Sequence, residues 1–339
     1  MIILTPVAPD ENPAPFARLP GRAHSFDTGA GYRYNFATVT TESTLADDGG
    51  PTPPRPEQES PSPAEIVLAE AEQAIEEAGH LTVGLVRDVT IGVIAYLGEV
   101  FILLAQSIRG MRRGVNVIDV LRQMSVIGVE SIPIALLTVG FSGAVLALYT
   151  VGTLKAYGAS GLVGGIVALS IVRETGPILT GVAIAARAGS AITAEIGSMK
   201  VTEQIDALRS MAVSPTDYLV VPRLIASLIM LPLVCIWSDV AGVLGGAIVA
   251  SVNDVSFSAY QESIRLLMQP NGSDITKGLI KTVAFGAIIA LVGCREGLET
   301  SGGATGVGQA TTRSVVLSIV LIFFADFLLT FLLFNGGLI

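Results

Sequence analysis

Long stretches without charge are the feature that most limits how this chain can fold. Between Glu130 and Lys155 there is no charged residue at all. A helix needs about 20 mostly apolar residues to cross the hydrocarbon core of a bilayer, so this stretch predicts a membrane-spanning helix. Four more apolar runs of similar length follow it. The sequence therefore predicts an all-α integral membrane protein with about five spans, at 128–154, 161–190, 219–250, 274–294 and 314–335.

The composition agrees with a membrane protein and isolates one atypical segment. Hydrophobic residues make up 51% of the chain and charged residues 14%, whereas soluble domains have about one quarter charged residues. Residues 1–80 contain four Arg, no Lys and thirteen Asp or Glu, so they carry the whole formal charge of −9. Eleven of the 17 prolines precede residue 64. We predict an acidic, Pro-rich, largely disordered cytoplasmic tail over 1–80, with a helical part at 64–79, and no nucleic acid partner.

The stretch around residues 85–110 is apolar enough to cross the membrane, but the charges that follow it favour another placement. Arg109, Arg112, Arg113 and Arg122 lie just after it. Positive loops stay on the cytoplasmic side, and a span here would place these residues outside. We therefore predict an amphipathic helix in the cytoplasmic interface, at the start of a membrane domain covering 81–339.

Small residues predict that the spans pack on one another. Gly242 and Gly246 form a GxxxG pair, and glycines recur along the second span. Such residues allow helix backbones to approach closely in lipid. We expect a helix bundle and an oligomer.

The chain lacks the motifs of common catalytic and nucleotide sites. It contains no GxxxxGK[ST], CxxC, HExxH or GxSxG sequence, and its two histidines, His24 and His80, precede the membrane region. Cys235 and Cys294 lie in apolar runs, where a thiol behaves as a small hydrophobe. We expect no catalytic residue, metal or cofactor in this chain.

Ionisable residues within the predicted spans remain as candidates for function. They would each cost several kcal/mol if exposed to hydrocarbon, so they must face a cavity, a partner helix or one another. One hypothesis is that these residues form a polar lining for a substrate headgroup or an ion. The other is that they pair with one another and hold the register of the helices. The pattern leaves both open for these residues: Arg173, Glu174, Asp239, Lys281 and Asp326.

A compact charged insert, "EIGSMKVTEQIDALRSM" at 195–211, separates the second and third apolar runs. Val201, Ile205, Leu208 and Ala212 follow helical spacing and form one apolar stripe. This pattern predicts a short amphipathic helix in a cytoplasmic loop. It fits a helix resting on headgroups and a helix that docks on a soluble partner equally well.

The sequence also resembles a known family. The segment "RETGPILTGVAIAARAGSAITAEIGSMKVTEQIDAL" and the later segments "LIKTVAFGAIIALVGCREGLETSGGATGVGQATTRSVV" and "DFLLT" resemble the MlaE (YrbE) permeases, and the resemblance covers about residues 85–339. It implies five spans, an in-plane N-terminal helix and a homodimer.

The resemblance implies a function as well. These permeases are non-catalytic subunits of ABC transporters that move phospholipid between the inner membrane and the outer envelope. The implied partners are an MlaF-like ABC ATPase that binds ATP and Mg²⁺, a hexameric MlaD-like MCE-domain protein and an MlaB-like STAS-domain protein. The implied location is the bacterial inner membrane, with the chloroplast inner envelope as the alternative.

Two sets of site residues follow from the matched motifs. The residues that match the lipid cavity are Arg173, Glu174, Asp274, Lys281 and Asp326. The residues that match the coupling helix, which docks on the ATPase, are Glu195, Gly197, Met199, Lys200, Thr202, Glu203, Gln204, Asp206, Leu208 and Met211.

Two other classes of function fit the sequence less well. An ion-coupled secondary transporter of lipid or another amphipathic substrate should show repeated halves, and no internal repeat is found. A membrane-embedded acyltransferase would need a base at membrane depth, where the chain has no histidine.

Overall fold

A computed structural model of the chain describes residues 24–28, 32–36, 90–112, 114–268 and 273–335. The chain divides into two units, Met1–Ile75 and Glu76–Ile339.

The first unit contains a β-hairpin that the sequence pattern does not predict. Strand β1 (His24–Thr28) pairs antiparallel with β2 (Tyr32–Phe36), and His24 is aligned with Phe36. Both strands lie within the acidic segment 1–80. The rest of the tail, including the helix expected at 64–79, lies outside the described residues, so those expectations stay predictions.

In the described part of the second unit every regular element is helical. The α-helices are α1 (Thr90–Met111), α2 (Val117–Ile127), α3 (Ile132–Ala156), α4 (Val163–Ser170), α5 (Gly176–Ile184), α6 (Ser190–Val201), α7 (Gln204–Ser210), α8 (Val221–Val252), α9 (Phe257–Leu267), α10 (Ser273–Leu298) and α11 (Gly303–Thr330). Four π turns adjoin them, at Ile171–Thr175, Ala185–Gly189, Thr216–Val220 and Phe331–Asn335.

Among the described residues, six continuous helical stretches are long and apolar enough to cross a membrane. Five of them contain the cores of the predicted spans: Val117–Ala156, Ser160–Val201, Thr216–Val252, Ser273–Leu298 and Gly303–Leu333. We call these spans 1 to 5. The sixth is α1, for which the sequence predicts an interfacial position; its length and composition also permit a span. The protein is a multi-pass membrane protein.

Spans 1 and 3 pack backbone to backbone, as the glycine pattern predicts. A Cβ on Gly143 of α3 would overlap the carbonyl oxygen of Gly242 in α8, and a Cβ on Gly245 would overlap the carbonyl oxygen of Gly140. Only residues without side chains allow this approach. The two helices thereby close one side of the bundle.

The bundle has two ends, which we name after the short helices that lie there. At the α9 end, Lys155 pairs with Asp254 at 3.1 Å, and Gly164 of α4 abuts the backbone of Tyr260. Burial raises the pKa of Tyr260 to about 12, so its hydroxyl stays protonated and donates to the carbonyl of Val243. The α7 end contains the loop between spans 2 and 3 and the loop between spans 4 and 5.

Substituting Gly143 by Ala should weaken the contact between spans 1 and 3. We expect Gly143→Ala to destabilise the purified protein by about 1–3 kcal/mol, because the new methyl group has no space beside Gly242. Gly152→Ala in the same helix is the matched control, since a Cβ there meets nothing within 4 Å. Thermal unfolding in mild detergent measures both, and equal stability of the two variants would contradict this packing.

Candidate functional site

Lys281 lies at the centre of a polar cluster near the α9 end, and its side chain is 0% exposed. Its Nζ donates to Glu174 Oε2 at 2.7 Å and to the carbonyl oxygen of Arg173 at 3.0 Å. It also lies 3.1 Å from Asp326 Oδ1. One ammonium group thus joins spans 2, 4 and 5 through two hydrogen bonds and an ion pair.

The local backbone of span 2 explains one of these contacts. Pro177 has no N–H, so it cannot donate to the carbonyl of Arg173 four residues earlier. Lys281 supplies a donor to that carbonyl. The π turn Ile171–Thr175 lies just before Pro177 and contains both Arg173 and Glu174. Single π turns within α-helices are often found at functional sites.

Further contacts extend the cluster to the other predicted cavity residues. Arg173 Nη2 lies 2.7 Å from Asp274 Oδ1, at the start of α10. Thr330 Oγ1 donates to Glu174 Oε1 at 3.2 Å. The structure therefore brings together all five residues assigned to the cavity by resemblance. Thr330 was missed, although it lies four residues after Asp326 and so on the same helix face.

A cavity of about 350 Å³ adjoins the cluster. It is lined by Leu169, Ser170, Arg173, Glu174 and Thr330. The Arg173 side chain is 34% exposed, whereas Lys281 is fully buried. Arg173 is therefore the cation that a ligand in the cavity can reach, and Lys281 acts through the groups that it holds.

Asp239 of span 3 lies apart from this cluster. It is 8% exposed and packs against Gly176, where a Cβ would overlap its Oδ1. Its Oδ2 accepts a hydrogen bond from the thiol of Cys235 at 3.6 Å. Cys235 and Cys294 are both buried, free thiols. Within the described residues, no group of three or more His, Cys, Asp or Glu side chains could hold a metal ion.

The charged insert divides into two helices, which its sequence pattern does not reveal. Helix α6, the end of span 2, continues to Val201, and α7 is only seven residues long. Glu203 connects them in the left-handed conformation, with φ of 60°. Of the residues assigned to the coupling helix, Glu195, Gly197, Met199 and Lys200 belong to α6, Thr202 and Glu203 to the turn, Gln204, Asp206 and Leu208 to α7, and Met211 follows it.

Two of the four residues of the predicted apolar stripe, Ile205 and Leu208, lie in α7, whereas Val201 ends α6 and Ala212 is exposed after α7. Ile205 is fully buried in the main hydrophobic cluster of the bundle, and Leu208 packs against that cluster. On the opposite side Asp206 pairs with Lys200 and with Arg209, both at 3.3 Å. Met211 is 64% exposed. The helix is thus anchored by one face and presents charged and apolar groups on the other.

These features define a class of protein: a multi-pass helical membrane protein with a paired-charge cavity at one end and a short amphipathic helix at the other. The family model described as "Permease MlaE" matches residues 120–332. The chain belongs to the MlaE permease family.

Three relatives illustrate the range of this similarity. A probable ABC transporter permease protein of Synechocystis is 43% identical over 242 residues, which are 70% of this chain and 88% of the relative. The intermembrane phospholipid transport system permease protein MlaE of Haemophilus influenzae is 38% identical over 221 residues, 64% of this chain and 83% of that protein. The chloroplastic protein trigalactosyldiacylglycerol 1 of Arabidopsis thaliana is 38% identical over 220 residues, 65% of this chain and 62% of that protein.

Removing the ammonium group of Lys281 should destabilise the bundle strongly. Lys281→Met leaves the buried carboxylate of Asp326 without its cation, and the loss of a partner from a buried ion pair costs about 3–5 kcal/mol in proteins. We expect a lower yield of folded protein and a lower unfolding temperature in detergent. Lys155→Met, which breaks the exposed pair with Asp254, is the control and should have little effect. Unchanged stability of Lys281→Met would show that the cluster does not hold the spans together.

Proposed function

We propose that this protein is the permease subunit of an ABC transporter that moves phospholipid between the inner membrane and the outer envelope. The observation that carries the proposal is the cavity at the α9 end, where Arg173 and Glu174 line a space beside the buried Lys281. A phospholipid has an anionic phosphate and two apolar chains. A cation at a cavity within an otherwise apolar bundle suits such a ligand.

The residues of the cavity would have different roles. Arg173 is exposed to the cavity and can donate to phosphate oxygens in a bidentate manner. Glu174 is held by Lys281 and Thr330 and borders the same space, so it would contact or gate the headgroup. Asp274 orients Arg173, and Asp326 shares Lys281 with Glu174. These last two residues would position the headgroup contacts without touching the lipid.

The energy would come from a partner. In this proposal the chain is non-catalytic, and ATP and Mg²⁺ are bound by a separate MlaF-like ATPase subunit. Helix α7 would dock on that subunit. Its anchored apolar face and the exposed groups beside it, Met211, Val213 and Tyr218, support such a contact.

The charge distribution supports a cytoplasmic position for the α7 end. Lys200, Arg209, Arg295 and Arg313 lie in or beside its two loops, and positive loops stay inside. The α9 end and its cavity would then face the outer side. There an MlaD-like MCE-domain hexamer would receive the lipid, with an MlaB-like STAS-domain protein at the ATPase.

Two contacts support an in-plane α1. Glu99 pairs with Arg295 near the end of span 4, and Gly110 abuts Asp217 at the start of span 3. Both partners lie at the α7 end, although Glu99 and Gly110 are about 16 Å apart along a helix with a rise of 1.5 Å per residue. A helix that touches the same end of the bundle at two such distant points would lie across that end.

A homodimer would enclose the cavity. Thr330 lies at its rim, and the neighbouring part of span 5 exposes Phe324, Phe327 and Phe331. A second copy packed on these aromatic groups would shield a bound lipid from the bilayer. We propose the bacterial inner membrane as its location, with the chloroplast inner envelope as the alternative suggested by the plant relative.

Changing Glu174 should impair transport and leave the assembly intact. In Glu174→Gln, Lys281 keeps Asp326 and the Arg173 carbonyl as partners, so the fold is maintained. A hydrogen bond to a charged group contributes about 1.5–3 kcal/mol, so we expect phospholipid transfer between proteoliposomes to fall about tenfold or more. Glu262→Gln on α9 is the control. Normal transfer by Glu174→Gln would remove this residue from the mechanism.

Reversing the charge of Glu203 should weaken ATPase binding. Glu203 is exposed beside α7, and it is a cleaner test than Asp206, which is already paired within the chain. A charge mismatch in an interface costs several kcal/mol, so Glu203→Lys should reduce ATPase association about tenfold or more. Copurification in mild detergent measures this, with Glu262→Lys at the α9 end as control. A helix that only rests on headgroups should retain the ATPase after the reversal.

A further inference from the structure

Arg223 is a buried charge at the base of the α7 loop. Its side chain is only 4% exposed, and its Nη2 lies 2.7 Å from Glu195 Oε2. Its Nη1 also donates to the carbonyl of Leu219 at 2.7 Å. Among the described residues, Glu195 is the one acidic side chain that forms an ion pair with Arg223. Losing Glu195 would therefore leave a buried guanidinium without its counter-ion.

The position of this pair along the chain is informative. Glu195 lies in α6, which precedes α7, and Arg223 lies at the start of α8, which follows it. The pair joins the two helices at the point where the α7 loop leaves the bundle. Any force on α7 reaches span 2 directly through α6, and the ion pair offers a second connection to span 3.

Helix α6 is also fixed to span 4 by close packing. A Cβ on Gly297 would lie 2.8 Å from the Cβ of Ile196, and Thr193 Oγ1 donates to the carbonyl of Gly293 at 3.1 Å. Gly197 faces Thr300, just after the end of α10. These contacts bring backbone and side-chain atoms of the two helices into close packing, so α6 has little room to slide along span 4.

The same spans are in contact again near the polar cluster. Span 2 contributes Glu174 and span 4 contributes Lys281 to the cluster, and Asp239 of span 3 packs against Gly176, two residues after Glu174. Spans 2 and 3, which meet at Glu195 and Arg223, therefore meet again beside Glu174, which lines the cavity. If spans 2 and 3 are displaced together at the α7 end, the displacement reaches the cavity and changes its shape. If the two spans move independently, the displacement does not reach the cavity.

We propose that Glu195 and Arg223 form a positioning pair, which makes the two helices on either side of α7 move together when the ATPase acts. This role differs from the docking contact that the family resemblance implies for Glu195. It rests on the proposed function, because it presumes that α7 receives motion from an ATPase. Neither residue touches the lipid or the nucleotide in this mechanism.

The test uses the permease copurified with its ATPase and reconstituted in proteoliposomes. The main variant is the neutral double substitution Glu195→Gln with Arg223→Met, which removes both charges together and leaves no buried charge unpaired, so folding and assembly are retained. ATP hydrolysis and phospholipid transfer are measured on the same preparation. We expect hydrolysis to persist while the phospholipid transferred per ATP falls about fivefold or more, which is the range of a typical coupling energy between sites.

A conservative variant and a control make the result specific. Arg223→Lys keeps the charge but loses the planar fork that reaches both Glu195 and Leu219, so it should give an intermediate transfer per ATP. The neutral double substitution Lys155→Gln with Asp254→Asn removes the exposed pair at the opposite end of the bundle and should leave transfer per ATP unchanged.

The outcomes separate this inference from the function on which it rests. Wild-type transfer per ATP in the Glu195→Gln, Arg223→Met variant would overturn the positioning role. A parallel loss of hydrolysis and transfer in that variant would also overturn it, because the pair would then serve only folding or assembly. A wild-type assembly that hydrolyses ATP without moving phospholipid would instead overturn the proposed function.

Discussion

The buried ammonium group of Lys281 is the interaction on which the arrangement of spans 2, 4 and 5 depends. In a low-dielectric interior an isolated charge is very unfavourable, so its partners must be held in place. Glu174, Asp326 and the Arg173 carbonyl provide those partners from two other spans. The positions of these partners in turn determine how the Arg173 side chain is oriented toward the cavity. The same contacts that hold the helices together therefore also shape the candidate ligand site.

The helices of a water-soluble bundle are held by hydrophobic burial, but helices in lipid need other contacts, and this protein uses two kinds. Glycines allow backbone contact, as between Gly143 and Gly242. Charged pairs join the spans at both ends, with Lys281 and Glu174 near α9 and Arg223 and Glu195 near α7. Between them span 2 departs twice from regular α-helix, at Ile171–Thr175 and Ala185–Gly189. Each of these π turns contains an arginine that pairs with another segment, Arg173 with Asp274 and Arg187 with Glu130.

Much of the fold could be predicted because membrane spans are defined by local composition. The five predicted spans lie in five of the six apolar helical stretches, since hydropathy depends on neighbouring residues alone. The helix boundaries within the insert 195–211 could not be predicted from local composition. Helix α6 continues through Glu195 to Val201, and Glu195 pairs with Arg223 of another span. The turn between α6 and α7 requires a left-handed backbone conformation at Glu203, and no glycine or asparagine at that position indicates it in the sequence.

The sequence by itself determined that the chain crosses a membrane, that its acidic charge lies in the tail, and that five ionisable residues at membrane depth need partners. Its motifs also indicated the family. Only the tertiary structure decided the pairing: that Lys281 contacts Glu174, Asp326 and the Arg173 carbonyl that Pro177 leaves without its donor, that Asp239 lies elsewhere, and that Glu195 pairs with the buried Arg223. Composition and periodicity are properties of neighbouring residues, whereas the ion pairs and the hydrogen bond to the Arg173 carbonyl join residues about 30 to 110 positions apart, which only helix packing brings together.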